Sequence, residues 1–186
     1  MNVTDAIKQR RSVKKFTERE LTRAEIEPLL DAVTHAPNHH LTQPWRFYVL
    51  GPEARYAYGL ALGARKAKKI EDAVAGQALK EKVAVEHRAL PAMIAVAMVN
   101  SDDPQTREEN YAAVMMGVQN LLLAAVEAGF QTHIKTGAVM DDPAARAAAG
   151  VREGERIVAI VNVGVPAEPV VGKPRSGASG YTSWLA

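Results

Sequence analysis

The chain has 186 residues, enough for one domain built around one sizeable core. Hydrophobic residues make up 47%, and 23 Lys+Arg balance 21 Asp+Glu, which argues against a disordered chain and against a general nucleic-acid binder. Cysteine is absent, so disulfides, thiolate zinc sites and cysteine nucleophiles are excluded.

The first residues, "MNVTDAIKQRR", lack the apolar run of a secretory signal and point to the cytoplasm. Thr4 is placed to cap a short helix that runs to about Arg10. The stretch "RRSVKKF", 10–16, reads as a basic, irregular turn. "TRAE", 22–25, is a capping box in which Thr22 covers an open N–H and Glu25 reaches back. The helix it starts must end before Pro37, because the residue before proline is pushed out of the α region. "RFYVL", 46–50, is aromatic and β-branched and predicts a strand. Residues 52–90 are rich in Ala, Lys and Glu and read as helical, with an exposed middle.

"AMIAVAMV", 92–99, is a continuous apolar run, as in a strand buried on both faces. A long helix is expected over roughly 105–128, stopping at Gly129. Its apolar stretch, 111–130, is broken by Gln119, Asn120 and Glu127, which favours a helix buried within a protein over a membrane span. A short strand near 131–135 leads to "KTGAVMDDP". "DPAARAAAG", 142–150, is one small helix, and "RIVAIVNVGVP", 156–166, is the last core strand. The tail, 167–186, is rich in Gly, Pro and Ser and ends in "YTSWL". About five helices and four short strands without strict alternation predict an α+β fold in a single domain, 1–186, whose tail wraps a second subunit.

Three stretches could carry chemistry. In "RRSVKKF", four positive charges and a hydroxyl lie within six residues. Guanidinium forks and a hydroxyl suit a phosphate, and a solvated basic turn is the plain alternative. In "HAPNHHLTQPWRF", 35–47, His35 and His39 are four apart, but Pro37 breaks the helix that a zinc pair needs, and neither a cysteine nor an HExxH acid is at hand. A loop stiffened by Pro37 and Pro44 can instead hold flat donors such as Asn38 and Gln43 against a planar ring. Trp45 reads as a packing anchor. In "HIKTGAV", 133–139, Lys135 and Thr136 make a polar lip at a strand end, or an ordinary exit into a loop.

Taken together, "RRSVKKF" followed about 25 residues later by "APNHHLTQPWRF" resembles the nitroreductase family of flavoproteins. "KTGAVMDDPAARAAAGV" is similar to that family's short-chain branch. The resemblance implies an FMN-binding α+β fold: a small mixed or antiparallel sheet wrapped by helices around a buried central helix. It also implies a homodimer with two flavins at the subunit interface. By position, Arg10, Arg11 and Ser12 match the turn that binds FMN, and Lys14 matches an approach to the pyrimidine side of the ring. His35 and His39 match loop positions that reach the flavin from the partner subunit. Ile134, Lys135 and Thr136 match the segment that lines the ring. Ile134 stands where relatives often carry Trp, and Lys135 replaces Arg, which keeps the charge and loses the fork. Residues 124–129, "AAVEAG", fall where nicotinamide contacts are proposed, and Lys173 and Arg175 are similar to a C-terminal basic pair.

The implied activity is a two-step oxidoreduction that uses FMN and NAD(P)H, with nitroaromatics or quinones as acceptors. The flavin performs the chemistry, and no side chain acts as a nucleophile. A cation beside the ring favours its reduced form, and Lys14 or Lys135 is placed to supply it. Two rival readings are a flavin store or sensor without turnover, and a same-family enzyme for dehalogenation, dehydrogenation or flavin destruction. No nucleic-acid or membrane partner and no metal is expected.

Overall fold

The computed structural model describes residues 1–185. Four strands, β1 (Trp45–Val49), β2 (Ala92–Val99), β3 (Gln131–Lys135) and β4 (Glu155–Gly164), form one sheet in the order β1-β2-β4-β3. Every pairing is antiparallel, which settles the choice left open between a mixed and an antiparallel sheet. Six α-helices surround it: α1 (Val3–Gln9), α2 (Arg23–Thr34), α3 (Pro52–Ala67), α4 (Ala73–Arg88), α5 (Pro104–Glu127) and α6 (Pro143–Ala149). The fold is α+β, as expected.

Two expectations about the helices are corrected. The cap of α1 is Asn2, not Thr4: the Asp5 backbone N–H donates to Asn2 Oδ1 at 2.9 Å. Asn is among the best N-cap residues, and here it sits immediately before the first helical residue. The helical stretch 52–90 is two helices rather than one. Asp72 caps the second by accepting from the Val74 N–H at 2.8 Å. Two glycines in α3 let the hairpin close tightly, since a Cβ on Gly59 would lie 2.7 Å from Ala84 Cα and one on Gly63 2.8 Å from Lys80 Cα. The capping box at α2 is present as expected, with the Thr22 N–H donating to Glu25 Oε2 at 2.9 Å and the Glu25 N–H to Thr22 Oγ1 at 3.3 Å.

The sheet separates two apolar layers. One face carries Ile94, Val96 and Val161 against Val33 of α2 and Val114, Val118 and Leu121 of α5. The other carries Met93, Ala95 and Ile160 against Tyr58 of α3 and Ala145 of α6. β2 is buried from Ala92 to Met98, as a strand covered on both faces must be. α5 is the central helix, and the chain leaves it through Gly129, whose φ of +83° is a left-handed exit that glycine adopts without strain. Among the described residues no helix is long and apolar enough to cross a membrane.

Candidate functional site

The basic turn 10–16 is stitched along the edge strand β3. The Arg11 N–H donates to Gln131 Oε1 at 2.9 Å, and the Val13 N–H donates to Thr132 O at 2.8 Å. Farther on, the Thr17 N–H donates to Val165 O at 2.9 Å and the Ala167 N–H to Lys15 O at 3.1 Å. The tail therefore starts beside the turn and keeps to it as far as Arg175. Gly172 lies against the Arg11 guanidinium, and the Arg175 charge bears on Arg10. Burial first, then Arg175 and Arg11, hold the Arg10 guanidinium below its usual pKa. Among the described residues none of these three arginines joins an ion pair. Three like charges gathered without a carboxylate form a place for an anion.

The same turn runs into the rim of a cavity of about 870 Å³, on the sheet face that carries α3. That volume is in the range of small-molecule sites. Its wall is basic, with Lys14, Lys66, His87, His133 and Lys135 all present and Glu86 and Glu18 as acidic neighbours. Thr136 joins the lining, so two of the three residues anticipated in "IKT" reach it. Ile134 does not. Strand alternation turns its side chain to the opposite face, where it packs on the α5 core.

Burial, then Lys66, lowers the Lys135 ammonium, with Glu86 opposing. Burial, then Lys135, then Lys14, lowers His133. His87, His133, Tyr58 and Asn162 escaped the sequence reading. His133 lay inside a quoted stretch, but its direction depends on strand register. His87 carries no motif at all.

Three buried polar atoms here have no partner among the described residues: Arg11 Nε, Thr17 Oγ1 and Asn162 Oδ1. Thr17 and Asn162 line the cavity. A buried polar atom without a partner costs ~1–3 kcal/mol, so these are atoms that a bound polar ligand would satisfy.

The histidine loop is built differently from its neighbours. His40, Leu41 and Gln43 all have positive φ, at 58°, 50° and 45°. Non-glycine residues hold such angles only where their surroundings over-determine them. Asn38 does this work: its Oδ1 accepts from the Gln43 N–H at 2.7 Å, and its Nδ2 donates to Thr42 Oγ1 at 2.9 Å. Thr42 Oγ1 donates in turn to Oδ1 of buried Asn110 on α5 at 2.6 Å. Asn38 is therefore used inside the loop rather than offered to a ligand. Trp45 packs on the core, as anticipated. His35 closes α2 and His39 opens a 3₁₀ turn, and both are exposed and absent from the cavity wall. The 124–129 segment ends α5 with Ala125 and Val126 in the core and lines no part of the cavity.

The family model for the nitroreductase family matches residues 7–165. The "Putative NAD(P)H nitroreductase YfhC" of Bacillus subtilis is 30% identical over 172 residues, covering 92% of this chain and 88% of its own. A nitroreductase-like family protein from Bacillus cereus superposes with a TM-score of 0.85 at 26% identity, over 100% of this chain and 96% of that one. NfnB, an FMN- and NADPH-dependent nitroreductase from Sphigopyxis sp. strain HMH, shares the fold with a TM-score of 0.76 at 20% identity, over the full length of both chains.

Proposed function

The chain belongs to the nitroreductase family, and on that premise we propose that it is an FMN-dependent oxidoreductase. It takes electrons from NAD(P)H and passes them to a flat, electron-poor acceptor such as a nitroaromatic or a quinone. The observation that carries this reading is an Arg10–Arg11–Arg175 cluster, without an ion pair among the described residues, on the turn that runs into a basic cavity of about 870 Å³.

The residues present fit FMN. Arg10, Arg11 and Ser12, joined by Arg175, would hold the phosphate, and Arg11 Nε is a donor still lacking an acceptor. Lys14, Lys135 and Thr136 would face the ring from the wall, with the backbone of Ile134 beside them. His35 and His39 would reach the flavin from a second copy of the chain, which makes the functional unit a homodimer. When bound, the flavin supplies the hydride and electron chemistry. The chain's own part is to bind it, orient it and set the charge around it. A positive wall stabilises negative charge gained on reduction. It does so more effectively in a half-buried cavity than in water.

The visible spectrum of the purified protein tests the reading. Flavin absorbance should survive gel filtration, and heat should release FMN rather than FAD. Arg10→Ala should weaken FMN binding by ~1.5–3 kcal/mol, the cost of a lost charged hydrogen bond. That is roughly 10- to 150-fold in Kd. A colourless protein that cannot be reconstituted with FMN overturns the proposal.

A further inference from the structure

His87 lies in the last turn of α4 and is 7% exposed. Its Nδ1 is 2.7 Å from the carbonyl oxygen of Val83, one turn back. Its Nε2 is 3.3 Å from Lys135 Nζ, across the cavity wall on β3. A carbonyl oxygen only accepts, so Nδ1 carries the hydrogen. Nε2 is then a lone pair, and the Lys135 ammonium is its donor. Both partners are assigned by their neighbours, and the assignments agree.

We propose that His87 is a positioning residue. It accepts a hydrogen bond that fixes the Lys135 ammonium on the cavity wall, and so sets the charge presented to the flavin. The consequence for the flavin rests on the function proposed above. The positioning itself rests on the two contacts alone.

Lys135 needs such a partner. Among the described residues it joins no ion pair, and its side chain has four rotatable bonds and strong hydration to give up. The groups facing the pair do not replace His87. Lys66 and Tyr58 approach from α3, and Glu86 sits beside His87 on α4. His133 neighbours it on β3, and Lys14 comes from the basic turn. A second proton on His87 would set two cations 3.3 Å apart. Burial and Lys135 hold its pKa below the usual histidine value, which keeps the imidazole neutral and accepting.

The test joins ring ¹⁵N NMR with redox titration of the purified protein. In the wild type, His87 should show the Nδ1-protonated tautomer and titrate below the ordinary histidine range. Lys135→Met should move that titration up. Neither observation needs the cofactor. In the flavin-loaded protein, His87→Leu should weaken the preference for reduced over oxidised FMN by roughly tenfold, which is ~30 mV for a two-electron couple. His87→Gln, which keeps an acceptor, should restore most of it. Lys135→Met should show the same loss as His87→Leu, and the double variant should lose no more than Lys135→Met alone.

An Nε2-protonated tautomer, or a His87 titration indifferent to Lys135→Met, overturns the positioning whatever the cofactor. Additive losses in the double variant overturn it too. The expected NMR result in a protein that holds no FMN confirms the positioning and overturns both the flavin consequence and the function proposed above.

Discussion

A Cβ placed on Gly172 would lie 2.7 Å from the guanidinium carbon of Arg11. The tail is thus laid directly on the basic turn, 161 residues away in sequence. Arg11 is the flexible partner in this contact, so Gly172→Ala should displace the guanidinium rather than unfold the chain. We expect FMN affinity to drop by ~1–2 kcal/mol, part of a charged hydrogen bond, with the melting temperature nearly unchanged. Fluorescence titration beside a thermal melt checks both halves. A lowered melting temperature with intact affinity would assign Gly172 to packing alone.

Gly117 plays the opposite role on the far side of the sheet. Its Cβ would lie 2.7 Å from the carbonyl oxygen of Val33 and would also strike Val33 Cγ1. Both Val33 atoms sit in the α2–α5 contact, where the backbone must move to make room. Gly117→Ala should destabilise by ~1–3 kcal/mol, the usual cost of overpacking, despite alanine's better helix propensity. Urea denaturation measures it, and a stabilised variant would show that α2 moves away at little cost.

These two glycines mark what the sequence displays and what it hides. The strands were legible because β2 is apolar without interruption, β4 is apolar from Ile157 to Val161, and both lie between two layers. The helix ends were legible where a capping box, a proline or Gly129 punctuates the chain. The basic turn and the 135–136 lip were legible because charge and hydroxyls concentrate there. His87 was not, because nothing in "VEHRALP" marks a histidine whose partner lies 48 residues away. The direction of Ile134 was not legible either, since a one-residue change of register would have turned it into the cavity. Asn38 resembled a ligand contact and is the pin of a strained loop, a difference fixed by three positive φ angles that no composition reveals.

Two imidazoles of the cavity wall, buried His87 and partly buried His133, bear on the acid side of stability. His87 and His133 are both held below the usual value, with burial the larger cause in each. A base lowered in the folded state binds its proton less readily than in the unfolded chain. As pH falls below ~6.5, the unfolded chain takes up protons that the native state refuses, so stability declines until the native values are passed. Above that pH the full contribution is present. Glu25 does not confuse this window: its carboxyl is held down to about 2 by Arg19 and the Thr22 N–H, so its contribution fades as pH falls from the ordinary glutamate value of about 4.3 towards about 2, below pH 5. Denaturation midpoints at pH 7 and pH 5 should differ, and the difference should shrink when His87 and His133 are both replaced by Gln. An unchanged difference would move the titrating group elsewhere.

The last prediction concerns assembly. Tyr181, Trp184 and Leu185 are 81%, 92% and 93% exposed, and Leu41 in the histidine loop is 77% exposed. α5 adds Tyr111 and Met116, both also exposed. So much large apolar surface on one chain calls for a partner, and a second copy would supply one. Such an interface should be of the obligate kind, well above ~2,000 Å². His35 and His39 stay outside their own chain's cavity, so a role at the flavin requires the other copy to deliver them. Cofactor binding and dimerisation would then be linked, with FMN stabilising the dimer by mass action. Analytical ultracentrifugation of holoprotein and apoprotein should find a dimer that is tighter when loaded. Replacing Trp184 and Leu185 by Ala should loosen that dimer and weaken FMN binding with it. A holoprotein that sediments as a monomer while holding FMN tightly would mean that one chain builds the whole site, and it would remove His35 and His39 from it.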